Sequence, residues 1–175
     1  MPTAAAYFPA RMRRAIAPRE HEGEATAFRD GMVTYARTLL GVQYEINLPG
    51  FARQPGGRGL GKKYPELDKG LDCSGYVLNV LHHMGLLADL DADFTSCDTL
   101  WSRCDSIDRA AARPGDLVFF VRRYDTSGMS HIGIVTKAGG GEMISAHVPG
   151  VGSNVIAGFW DDHLAAFGRL RGFPE

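Results

Sequence analysis

The sequence predicts an α+β domain built on an antiparallel sheet. Apolar residues recur at helical spacing in the first half of the chain, while short β-branched and aromatic runs, separated by glycine-rich turns, fill the second half. Helices that come first and strands that come afterwards settle into an α layer packed on one sheet, rather than alternating around a parallel one. A length of 175 residues fits one domain with a real core and no need of staples.

The elements follow in order. Met1 to about Glu24 mixes prolines, alanines and the basic run Arg11-Met12-Arg13-Arg14, and is expected to form an arm (1–24), packed or mobile, ahead of the domain proper (25–175). It lacks an apolar core followed by a small-residue cleavage site, so no secretory signal is read there. Glu24 to Leu40 carries Phe28, Met32, Tyr35, Ala36, Leu39 and Leu40 at helical spacing, with Gly41 as the stop. Asn47 to Gly70, with its Pro55-Gly56-Gly57-Arg58-Gly59 run, predicts a long loop, and long loops in compact domains are often functional. Asp72 then caps a second helix whose stripe is Val77, Val80, Leu81 and Met84, closed by Gly85.

Leu86 to Ala112 shows no clear period and is expected to be irregular. Arg113-Pro114-Gly115 is a turn, and Asp116 to Val121 is a buried strand. Ser130 to Thr136 and Glu142 to Val148 are two further strands, joined by Gly139-Gly140-Gly141. Gly152 to Ile156 and Phe167 to Phe173 supply the rest, for a central sheet of about five to six strands.

Composition removes several functions. A formal net charge of -1 with 22% charged residues leaves no basic footprint for nucleic acid. No apolar stretch approaches membrane-spanning length, so membrane insertion is not expected. The three cysteines, Cys73, Cys97 and Cys104, make a poor disulfide framework and leave at least one free thiol. Cys97 and Cys104 could bridge, but they fit better as two small semi-buried residues. There is no Cys-x-x-Cys or His-x-x-x-His pair, and the adjacent His82 and His83 point in different directions on a helix, so neither a metal nor another cofactor is expected.

Two segments carry chemistry. In Leu71-Asp72-Cys73-Ser74-Gly75 the cysteine follows an N-cap, where free amide N–H groups and the helix dipole favour a thiolate. The same amides suit the oxyanion formed when that thiolate attacks a carbonyl. In Ser130-His131-Ile132-Gly133-Ile134-Val135 a histidine enters a strand, placed to take the thiol proton and return it to a leaving amine. Gly75 allows close backbone approach, and Gly133 keeps the strand slim. A buried structural cysteine usually has apolar neighbours, whereas Cys73 sits among polar ones.

With these segments in view, the chain resembles the NlpC/P60 family of cell-wall cysteine peptidases, papain-like enzymes of bacteria and their phages. Tyr35-Ala36 through Gly41-Val42-Gln43-Tyr44 resembles the family's first helix and the Gly-x-x-Tyr after it. Asp72-Cys73-Ser74-Gly75-Tyr76-Val77 resembles its nucleophile segment, Arg113-Pro114-Gly115-Asp116-Leu117-Val118-Phe119-Phe120 the strand before the base, and Ser130-His131-Ile132-Gly133-Ile134 the base itself. Phe159-Trp160 with Phe167-Gly168-Arg169 resembles the closing strand. The resemblance spans roughly Thr34 to Arg171. It implies a papain-like fold and hydrolysis of a peptidoglycan stem peptide, commonly between D-glutamate and a diamino acid. It also implies that Asp72 helps hold the free amine of the stem peptide and that Ser74 and Tyr44 line the groove, with Tyr44 either a donor near the oxyanion or a rim aromatic. Ser130 and Ser145 complete the residues expected to meet substrate.

The chain departs from the family in two places. The third catalytic residue, His, Asn or Gln in the family, falls by textual match on Ser145 in Met143-Ile144-Ser145-Ala146-His147. A turn centred on the glycine run instead sets His147 opposite His131, and a second imidazole orients the first better than a serine does. His147 is therefore the expected third residue and Ser145 the fallback. After Tyr44 the family continues Trp-Gly-Gly, whereas here Glu45-Ile46-Asn47 leads into the long loop, whose Arg58, Lys62 and Lys63 are either partners for stem-peptide carboxylates or solvated charges. Two other functions fit the same segments: an amidase or acyltransferase on a different amide, with an apolar acyl channel, and an inactive muropeptide-binding module. Without a signal, the protein is expected to be made in the cytoplasm and delivered to the wall by phage, secretion system or lysis. The sequence leaves its oligomeric state open.

Overall fold

The computed structural model describes residues 18–44, 60–61, 64–65, 71–86, 96–121 and 128–173. The first helix, α1 (Pro18–Thr38), begins ahead of Glu24, so the expected arm is helical from Pro18 onward, proline being well suited to a first turn. Its earlier residues, and Arg58, Lys62 and Lys63 of the long loop, lie outside the described residues. Within that loop a small antiparallel ladder joins β1 (Leu60–Gly61) to β2 (Tyr64–Pro65). The second helix, α2 (Cys73–His83), is buried from Cys73 through Leu81.

The span expected to be irregular contains regular structure: α3 (Cys97–Ser102), capped by Ser96, then β3 (Cys104–Ile107) and one 3-10 turn at Arg109–Ala111. These pieces are too short to show a period. The remaining strands are β4 (Leu117–Phe120), β5 (His131–Val135), β6 (Glu142–His147), β7 (Gly150–Val155) and β8 (Leu164–Leu170). Phe159 and Trp160 do not belong to a closing strand. They start a short helix, α4 (Phe159–His163), and β8 follows it.

The main sheet has six strands in the order β3-β8-β4-β5-β6-β7, every neighbouring pair antiparallel. One face (Leu117, Phe119, Ile132, Ile134, Ile144, Ala146) packs with Met32 and Ala36 of α1 and Val77, Val80 and Leu81 of α2. The other face (Val118, Phe120, Val135, Met143, Phe167) packs with Ile156, Trp160 and Leu164. Burial on both sides explains why β4 reads as a continuous apolar run, each large side chain contributing roughly 1.5–3 kcal/mol.

Two connections fix the frame around the site. Asp116, at the turn before β4, is buried against two guanidiniums: Arg29 of α1 at 2.9 Å and Arg169 of β8 at 2.9 Å, and it also accepts the Arg113 N–H at 2.8 Å. The chain leaving α1 runs along the outer edge of β7, where Gly41 N–H donates to Val151 O (2.9 Å), Val151 N–H to Val42 O (2.8 Å) and Tyr44 N–H to Pro149 O (2.9 Å). Gln43 O then accepts the Leu71 N–H at 2.9 Å, which delivers the backbone to the start of α2. No helix among the described residues is long and apolar enough to cross a membrane.

Candidate active site

Cys73 is the first residue of α2 because Asp72, with extended backbone (φ -81°, ψ 177°), turns the chain there. Asp72 Oδ1 accepts the Gly75 N–H at 2.6 Å and the Ser74 hydroxyl at 3.0 Å, so this carboxylate serves as the N-cap. Cys73 keeps 9% of its surface exposed. Its sulfur lies 3.8 Å from that of Cys97, the first residue of α3. The Cys73 thiol is held well below its ordinary pKa: Cys97 donates to it, and that contact, with the His131 imidazole and the Ile132 N–H, outweighs burial. Cys97 is pushed well above its ordinary value by the same sulfur and by burial. Both shifts favour negative charge on Cys73 and the proton on Cys97.

His131 opens β5 opposite Phe120 of β4. Its ring stacks on Trp160 with centroids 5.1 Å apart, and its buried Nε2 has no hydrogen-bond partner among the described residues. The pairings Ile134↔Ile144 and Val135↔Met143, continued along the strands, align His131 with His147, as the glycine turn predicts. His147 also lies against Trp160, at 5.8 Å, with Nε2 3.1 Å from Asn154 Oδ1 and Nδ1 3.1 Å from Val148 O. Ser145 is fully buried beside Gly133, its hydroxyl without a hydrogen-bond partner among the described residues. Neither His147 nor Ser145 is hydrogen-bonded to His131.

Tyr44 is half-buried, and its phenol pKa is raised by burial, by the Cys73 sulfur and by Asp72, which brings it to the same site as the thiol. It stays protonated, a donor. Ser74 is buried and committed to Asp72, whereas Ser130 is exposed, its hydroxyl donating to Phe120 O at 3.2 Å. Beyond His131 opens a cleft of about 610 Å³, lined among others by Ser130, His131, His147, Phe159, Trp160 and His163. No group of metal-binding side chains occurs among the described residues.

Sequence reasoning missed Cys97, Trp160, Asn154 and His163 as parts of this site. Ser96-Cys97 carries the same signature as Asp72-Cys73, a capping side chain followed by a cysteine at a helix start, and that parallel was the available signal.

The NlpC/P60 family model matches residues 57–169. This chain belongs to the NlpC/P60 family. The "Probable endopeptidase p60" of Listeria grayi is 36% identical over 115 residues, 63% of this chain and 20% of the relative. The "Bifunctional muramidase/DL-endopeptidase CwlT" of Bacillus subtilis is 32% identical over 105 residues, 59% of this chain and 30% of the relative. The chain thus spans less than a third of the length of these NlpC/P60 relatives. Among solved structures, the peptidoglycan hydrolase RipB of Mycobacterium tuberculosis superposes with TM-score 0.58 at 20% identity, over 97% of this chain and 71% of that one. RipD of the same organism, described as a non-catalytic NlpC/p60 domain protein adapted to peptidoglycan binding, superposes with TM-score 0.56 at 18% identity, over 83% and 97%. These likenesses establish the α+β papain-like NlpC/P60 fold.

Proposed function

We propose that this chain is a cysteine peptidase that hydrolyses an amide bond in peptidoglycan stem peptides, between D-glutamate and a diamino acid. The observation that carries the reading is the pairing of a lowered-pKa Cys73 at a helix start with His131 from the facing strand. The Cys73 thiolate attacks the scissile carbonyl carbon, and the oxyanion meets the amides of the first turn of α2 and the protonated Tyr44 hydroxyl. His131, bearing the proton, gives it to the leaving amine; it then takes a proton from water, which attacks the thioester and releases the thiolate. His147, aligned with His131 across the strands, is the group proposed to hold that imidazole in its working orientation, with Asn154 bracing it from behind.

The cleft beyond His131 gives a second reading its one support: its aromatic lining by Phe120, Phe159 and Trp160 suits the acyl group of a different amide. An inactive binding module, as in RipD, is disfavoured because Cys73 and His131 are both present. The test is digestion of purified muropeptides followed by mass spectrometry. Products cut between D-glutamate and the diamino acid are expected from the wild type and none from Cys73→Ala, whose fold is retained by circular dichroism. Hydrolysis that survives Cys73→Ala overturns the nucleophile.

A further inference from the structure

Cys97 is not needed to build a thiol–imidazole pair, yet its sulfur touches that of Cys73 at 3.8 Å across two helix starts. We propose that Cys73 and Cys97 form a reversible disulfide when the protein meets a hydroperoxide, so that Cys97 both switches the nucleophile off and protects it from irreversible oxidation. This rests on the reading of Cys73 as a reactive thiolate.

The geometry is favourable. Closing from 3.8 Å to the roughly 2 Å of an S–S bond asks for less than 2 Å of sulfur travel, within reach of a side-chain rotation and a small helix shift. Cys73 retains 9% exposure, which leaves its sulfur a path to a small oxidant. Cys104 is the built-in bystander: it lies on β3, and its S–H donates to Leu100 O at 3.2 Å.

The chemistry balances. The Cys73 thiolate attacks one peroxide oxygen and breaks the O–O bond; the departing hydroxide takes a proton as water and leaves a sulfenic acid. The Cys97 sulfur then attacks the Cys73 sulfur and displaces hydroxide, which combines with the Cys97 proton as a second water. Two thiols are oxidised and one peroxide is reduced. The electrostatics favour this order, because the Cys73 sulfur is the first cause holding the Cys97 proton in place, and a sulfenic acid no longer carries that charge. A small dithiol reverses the bond by exchange.

The test treats the reduced chain with a few equivalents of hydrogen peroxide and reads intact mass, peptide map and iodoacetamide labelling. Expected are the loss of two hydrogens, a Cys73–Cys97 cross-linked peptide, loss of Cys73 labelling, and full recovery with dithiothreitol. Cys97→Ala and Cys97→Ser should instead gain oxygens on Cys73 that dithiothreitol does not remove, while Cys104→Ala behaves as the wild type. Sulfinic acid at Cys73 of the wild type without the cross-link, or a cross-link through Cys104, overturns the proposal. The readout needs no substrate: a cross-link in a protein that fails to cut muropeptides sinks the peptidase reading alone, and cutting without a cross-link sinks the redox proposal alone.

Discussion

Gly150→Ala probes the edge segment that carries Tyr44. A Cβ at Gly150 would lie 2.6 Å from Val42 O and 3.3 Å from Val42 C, both backbone atoms. An unstrained carbon–oxygen contact needs about 3.3 Å, so the segment must retreat by about 0.7 Å. That retreat strains three backbone hydrogen bonds of 2.8–2.9 Å, between Gly41 and Val151, Val151 and Val42, and Tyr44 and Pro149. Losing two of them costs about 1 kcal/mol each, and the overpacking adds about 1–3 kcal/mol. The sum, about 3–5 kcal/mol, corresponds to a fall in Tm of about 6–20 °C for a chain of this size. Because the Tyr44 amide is one of the three donors, muropeptide hydrolysis should fall as well, even at temperatures where the variant is folded. Gly141→Ala, whose Cβ meets only Lys137 Cδ at 3.8 Å, serves as the control and should stay within about 0.5 kcal/mol. A Gly150→Ala protein that melts with the wild type and keeps its rate would refute the idea that this contact positions the segment.

Three further outcomes are expected. Since the Cys73 pKa lies well below that of an ordinary thiol, the thiolate is lost only as pH falls through that lowered value, so the rate of iodoacetamide modification of Cys73 should fall less steeply between pH 8 and about pH 7 than that of an ordinary thiol near pKa 8.5, which slows several-fold; a rate that tracks an ordinary thiol contradicts this. Asp116→Asn leaves Arg29 buried without its counter-charge and should cost on the order of 3–5 kcal/mol in urea unfolding, against which an unchanged midpoint would count decisively. His147→Ala should slow hydrolysis more than Ser145→Ala, and Ser145→Ala should be neutral to slightly stabilising because its buried hydroxyl has no partner among the described residues; the reverse ranking of rates moves the third role to Ser145.

Cys73 and His131 were legible because local rules place them. A capping aspartate marks a helix start, and a histidine before alternating apolar residues marks a strand entry. His147 was legible one step further out, since the glycine turn fixes the β5–β6 register and register fixes who faces whom. Cys97 was not, because its closeness to Cys73 arises from the docking of two helix starts 24 residues apart, and α3 is only six residues long. Strand β3 hid for a related reason: only Cys104 is buried, with two exposed residues following, which breaks the alternation. Trp160 was expected in a strand because its segment resembles the family's closing strand, but the chain first makes one helical turn over the imidazoles before it rejoins the sheet as β8.

The position of β8 has a consequence for how the molecule comes into being. Last in chain order among the strands of the described residues, it lies inside the sheet, flanked by β3 on one side and β4 on the other. Until residues 164–170 have left the ribosome, β4 has a neighbour only in β5, and Asp116 waits for Arg169. The strand that presents His131 is therefore steadied late, and a half-made copy carries its cysteine without a finished partner.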